Sequence, residues 1–370
     1  LVIGWGCRVS RQVSAETRGL IDDGGFDHVF VVDLMYNGDR RLRDVPVADV
    51  DLSWDGSANV IGSGSVRVVW SDDHASSLIP RQIGDWFSPF GAQLQIDCIV
   101  SSGEFSERIS LGRFVIESVP DAVESELLFD GRLIHPGESF GLRLKDGLIR
   151  VARDRFPFPT SPRTTSAWGE ITAISGLPVI RNLPDAVVPK SVTYDEDRMQ
   201  ALTQLFDLLG AWPHLNSSGV LTARPKAWPA PVGVVTGKVS APLSMDSEKV
   251  YNRVVVEGKS PNGDPVRGIA EVTDGFLRVR NADGSPSPHG AVTYFYSSDM
   301  LTNVAQCEAY ARELLPRVSR LRGVTREVVE TFNPLREVGD VLTLDGGLVR
   351  VLRVRFVGAT TVSTVEVPDE

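Results

Sequence analysis

The sequence predicts a mainly β fold with α+β additions: two antiparallel β-barrel domains plus peripheral α+β domains. Three observations predict it. Five short strand-like runs lie between positions 29 and 116, a second β-rich region opens near Val232, and two amphipathic helices sit beside Pro-rich breaks. At 370 residues the chain exceeds one ordinary core, which holds about 100–200 residues.

The expected strands of the first barrel are 29–36, 45–52, 65–70, 93–100 and 110–116, several of them alternating apolar and polar residues. Turn chemistry separates them at Asn37-Gly38-Asp39, Asp55-Gly56, Gly62-Ser63-Gly64 and Ser102-Gly103. The run from Asp154 to Arg163, with Phe156-Pro157-Phe158-Pro159, excludes regular helix and central strand because proline lacks the donor; a linker or wrapped arm is expected. A helix is expected from Asp197 to Leu209, with Met199, Leu202, Leu205, Phe206 and Leu209 on one face, Asp195 as N-cap and Gly210 as stop. A hairpin turning at Asn216-Ser217-Ser218-Gly219 follows, then a second Pro-rich break from Pro225 to Pro231. The second β region holds the Tyr251-Asn252 strand and resumes from Val324 to Val367 around the turn Asp345-Gly346-Gly347. Between its parts a helix is expected over 298–315, ended by Pro316 and packed beside the second barrel. The expected organisation is therefore 1–27 N-terminal segment, 28–119 first barrel, 120–231 peripheral α+β domain, 232–272 with 322–367 second barrel, and 273–321 helical insertion.

Net charge is −10, and 32 of the 38 basic residues are arginine. That balance argues against nucleic-acid binding, which needs basic surface; it is compatible with a surface that lets DNA slide past by repulsion. No apolar run approaches the ~20 residues of a membrane helix. Cys7, Cys98 and Cys307 include no C-x-x-C pair, so neither a disulfide framework nor a zinc knuckle is expected. The N-terminal Leu1 to Arg8 lacks a basic start and a long apolar core, so no secretory signal is expected there.

Nucleotide, zinc-protease and serine-hydrolase signatures are missing, and neither a cofactor nor a metal is expected. The nearest approach to a calcium loop, Asp49 to Gly56, carries Trp54 where the EF-hand requires glycine. His28, His74, His135, His214 and His289 are scattered beyond ligand spacing. The Asp195-Glu196-Asp197 cluster and the Asp72-Asp73 pair are the nearest things to paired acids; the first stands at a helix start, where capping is the better reading. Among the tryptophans, Trp70 shares register with Val66 and Val68 and is expected in a core. Trp86-Phe87, beside Pro89-Phe90-Gly91, lies in a loop, and Trp86, Phe87 and Phe90 are the candidate exposed patch for an inter-subunit contact.

Three stretches together resemble the hub family of phage tails, the baseplate hub or minor tail proteins of siphophages, in a fold shared with the spike-bearing hub of type VI secretion. They are Leu144-Lys145-Asp146-Gly147 through Arg155-Phe156-Pro157, which is similar to actinobacteriophage minor tail proteins; Met199 to Leu209 followed by Gly210-Ala211-Trp212-Pro213; and Val250 to Gly258 with Asn333-Pro334 and Val338-Gly339-Asp340-Val341. The resemblance implies a homotrimer at the tail tip of a virion made in the bacterial cytoplasm. Each chain would give two tube-type barrels, so that three chains present six to a six-fold tube. It implies as partners a distal tail protein ring, a tape measure protein and downstream tip or fibre proteins, with DNA passing an acidic lumen unbound. Because the last strand directly precedes Glu370, lytic or adhesive activity is expected on another protein. Two competing expectations stand beside it: the hexameric distal tail protein, which usually carries one barrel, and a β-rich carbohydrate-binding or glycan-cleaving protein, which needs paired carboxylates in a groove.

Overall fold

The computed structural model describes residues 11–71, 77–129, 132–242, 250–319 and 326–367. Cys7, the N-terminal residues 1–8, His74 and Asp72-Asp73 lie outside the described residues, as does the side chain of His135. Helix α1 (Ala15–Asp23) is capped by Ser14, whose hydroxyl accepts from the Thr17 amide, and ends at Gly24 with φ 72°. Strands β1 (Asp27–Tyr36) and β2 (Asp39–Asp55) form a hairpin whose turn residues Asn37 and Gly38 have φ of 50° and 85°. Two positive φ values in a two-residue loop match the right-handed twist of the strands. Next come β3 (Gly62–Trp70), β4 (Gln93–Ser102), β5 (Phe105–Ser118), β6 (Ala122–Phe129) and β7 (Arg132–Asp146).

Six of these strands pair antiparallel in a ring, β1-β4-β5-β7-β3-β2 and back to β1. Such closure leaves no free edge, and it makes this unit a barrel. Val32, Leu34, Val66, Val68, Leu94, Ile96, Cys98, Phe114, Leu142 and Leu144 fill its interior. Strand β6 stays outside the ring, paired with β7. The turn expected at Gly62-Ser63-Gly64 is strand instead: a Cβ on Gly64 would meet the Asp51 carbonyl oxygen at 2.5 Å, so glycine serves close approach to β2 there.

Helices α2 (Leu148–Arg153), α3 (Ala167–Ser175) and α4 (Arg198–Leu208), with the hairpin β8 (Ala211–Leu215) and β9 (Leu221–Pro225), enclose a second core around Trp168, Leu202, Leu205 and Phe206. The α4 N-cap is Asp197, not Asp195: its carboxylate accepts from the Met199 and Gln200 amides. The Pro-rich arm wraps this core, as Phe156 stacks on Tyr194 at 5.9 Å and Thr160 pairs with Tyr194.

The remaining elements are β10 (Gly233–Val234), β11 (Lys238–Ser240), β12 (Arg253–Lys259), β13 (Pro265–Glu271), β14 (Thr293–Ser297), α5 (Val304–Val318), β15 (Arg326–Thr331), β16 (Val341–Leu344), β17 (Gly347–Val357) and β18 (Thr360–Glu366). Six of them form a second β unit in the order β10-β16-β17-β18-β15-β11, whose end strands β10 and β11 are successive in the chain. It joins the first barrel where Arg353–Val357 of β17 pair antiparallel with Asp51–Asp55 of β2, and one continuous core runs under both. The Tyr251-Asn252 run, expected with the second barrel, pairs elsewhere: β12 lies between β13 and β14 in a separate three-stranded sheet. Helix α5 packs on one face of that sheet against Val254, Val256 and Ala270 through Cys307 and Ala311. Pro316 does not end α5 but sits inside its last turn, which continues to Val318.

Candidate assembly surfaces

Of the motifs that carried the sequence resemblance, the Asn333-Pro334 and Val338-Gly339-Asp340 turn and Asp146 meet at one buried junction. Arg11 enters between the two β units, where its guanidinium donates to the carbonyls of Pro334 at 2.5 Å, Leu111 at 2.7 Å and Arg336 at 3.3 Å. It lies over the rings of Trp54 and Phe356 and within 3.7 Å of the Glu337 carboxylate. Arg224, from β9, donates to Glu337 at 2.9 Å and to Asp340 at 3.1 Å. Two guanidiniums thus neutralise two carboxylates, all four side chains being buried.

Local backbone makes this possible. The Asp340 carboxylate accepts from the Glu337 amide, closing the turn, and Gly339 has φ 87°. A Cβ on Gly339 would press on Arg224 Cδ at 2.8 Å, so glycine in Val338-Gly339-Asp340 answers both a left-handed backbone and a packed arginine. Burial pushes the Glu337 carboxyl up, against the pull of Arg11 and Arg224. Burial first, then the two arginines, hold His214 well below its usual range and keep it neutral. The cavity bounded by Arg11, Trp54, Asp146, His214 and Glu337 is small, about 20 Å³, the room of one water. This junction ties the first barrel, the helical unit and the second β unit together; sequence reading overlooked it because Arg11 and Pro334 are 323 positions apart.

Several of the histidines, tryptophans and carboxylates among the described residues are taken up by packing or pairing, while His214 Nε2 and His289 Nε2 are buried without a hydrogen-bond partner. His28 stacks on Phe332 at 4.1 Å. Trp212 and Trp228 sandwich the Arg350 guanidinium at 4.9 and 4.7 Å, and Trp168 donates to the Leu183 carbonyl. Trp70 packs against the barrel core, partly buried. Asp33, Asp44 and Asp97 converge on the Arg108 guanidinium, and Asp51 and Asp55 pair with Arg355 and Arg353 across β2 and β17. Among the described residues no group of three or more His, Cys, Asp or Glu is arranged to hold a metal ion. No helix among them is long and apolar enough to cross a membrane.

The loop candidates divide. Trp86 and Phe90 are 47% and 60% exposed, beside Ile83 at 78%. Phe87 is fully buried, edge-on to Phe140 at 5.3 Å, which removes it from any surface contact. Its φ of 62° is costly for a residue with a Cβ, and the buried ring offsets that cost. Phe87 therefore anchors the loop while its neighbours face outward.

No protein-family model matches the chain, and no curated protein matches it in sequence. Among solved structures, it is similar to the tail protein from Neisseria meningitidis MC58, with a TM-score of 0.58 and 13% identity over 92% of this chain and 97% of that one. It is also similar to the 43 kDa tail protein of prophage MuSo2 from Shewanella oneidensis, with a TM-score of 0.54 and 12% identity over 92% of this chain and 99% of that one. At such identities the likeness is one of fold, and it spans both β units and the units between them.

Proposed function

We propose that this chain is a structural part of a phage or prophage tail, the hub at the tail tip, and that it acts by assembly and not by catalysis. The observation that carries the reading is the fold likeness to two tail proteins over 92% of the chain. The two six-stranded β units per chain support it further: three chains would present six such units to a six-fold tube, which resolves the mismatch between tube and three-fold tip. In this reading the tube-facing side meets a distal tail protein ring and the tape measure protein, and the peripheral units hold tip or fibre proteins. The −10 charge lets DNA pass the lumen by repulsion without binding.

Light scattering on the purified chain tests the reading. A mass of three times 40.3 kDa is expected. Six times that value, unchanged on dilution, would indicate the distal tail ring. A chain that stays monomeric at high concentration and binds glycan would overturn the proposal in favour of a carbohydrate-directed protein.

A further inference from the structure

The β13-β12-β14 sheet has α5 on one face and, among the described residues, no element packed on the other. Alternation and register place three rows of three on that open face, with the Lys259–Pro265 pair beyond them. The middle row is Ile269, Val255 and Phe295, with Ile269 and Phe295 at 56% and 75% exposure. On one side lie Glu271, Arg253 and Thr293; on the other, Arg267, Glu257 and Ser297. Within each flanking row the charges pair, Arg253 with Glu271 at 2.5 Å and Arg267 with Glu257 at 2.6 Å. An apolar stripe rimmed by paired charges has the anatomy of a contact surface.

The charge pattern selects the occupant. We infer that this face docks on the same face of a second copy of the chain, about a two-fold axis running along the Ile269-Val255-Phe295 row. That axis inverts position along the strands and keeps position across them. The apolar row then meets its own copy, Arg253 meets the partner's Glu257, Glu271 meets the partner's Arg267, and Thr293 meets the partner's Ser297, hydroxyl to hydroxyl. A two-fold axis along β12 would instead set Arg253 against the partner's Arg253 and Glu257 against the partner's Glu257, which like-charge repulsion disfavours. An isologous contact of this kind closes at two copies.

Nine side chains per copy are fewer than the about 20–30 residues a side of a stable interface, so the pairing is concentration-dependent. The sheet lies outside both six-stranded β units, so the inference does not rest on the tail reading. The test is sedimentation velocity of the whole chain over a range of concentrations, beside Phe295→Asp and a fourfold charge exchange, R253E/E257R/R267E/E271R. Wild type is expected to double in mass with concentration relative to Phe295→Asp, whatever the smaller species is. The exchanged protein is expected to pair with itself but not with tagged wild type, because the mixed contact sets Glu against Glu and Arg against Arg. Equal masses of wild type and Phe295→Asp at every concentration would overturn the inference, as would mixed pairing as strong as self-pairing.

Discussion

The four buried charges at the junction define what single residues do here. A buried ion pair adds little over an apolar replacement of both partners, yet removing one partner strands the other charge in a dry site. Arg224 holds both Glu337 and Asp340, so Arg224→Met is expected to lower stability by about 3–5 kcal/mol, read from the denaturant midpoint. Asn252 plays a quieter part: its side-chain amide donates to the carbonyls of Leu277 and Gly290, and its oxygen accepts from the Val292 amide. One asparagine thereby pins the long β13–β14 connection from the position just before β12.

Packing at the element scale depends on glycines where helix meets sheet. A Cβ on Gly268 would reach the Glu308 amide nitrogen at 2.2 Å, and one on Gly258 the Leu301 carbonyl oxygen at 2.1 Å. Helix α5 lies on the backbone of β12 and β13. Gly268→Val is therefore expected to displace α5 at a cost of about 1–3 kcal/mol. Because this unit has its own core, hydrogen exchange is expected to show lost protection in β12–β14 with β1–β7 unchanged; equal loss in both would mean the units unfold together. Element boundaries were largely legible in sequence where a pattern was long. The alternation of residues 93–100 became β4, and the apolar steps from Met199 became α4. Helices α1 and α3 were overlooked for lack of length, although Ser14 and Ser166 as N-caps and Gly24 and Gly176 as stops were available signals.

For the whole molecule, the loop bearing Trp86 and Phe90 separates folding from assembly. Both residues are solvent-exposed, so the double variant Trp86→Ser, Phe90→Ser is expected to shift stability by no more than about 0.5 kcal/mol for each change. Its mass in solution is expected to fall below that of wild type at equal concentration. An unchanged mass would remove this loop from the subunit contact. Phe87 shows why the candidate patch was only partly readable: three aromatics within five positions look alike in sequence, and the one that turns inward is chosen by the space beside Phe140.

The sequence by itself determined the mainly β class, most strands of the first barrel, the turns at Asn37-Gly38 and Asp345-Gly346, and the two long helices. These depend on period and on local backbone preference, which act over a few residues. Only the tertiary structure decided that β1 closes a ring with both β2 and β4, that β12 leaves the second β unit for a sheet of its own, and that Arg11 locks beneath Pro334. Alternation states which face of a strand is buried but not which strand lies next to it; that choice is made by long-range packing and the pairing of buried charge, between residues that the chain keeps hundreds of positions apart.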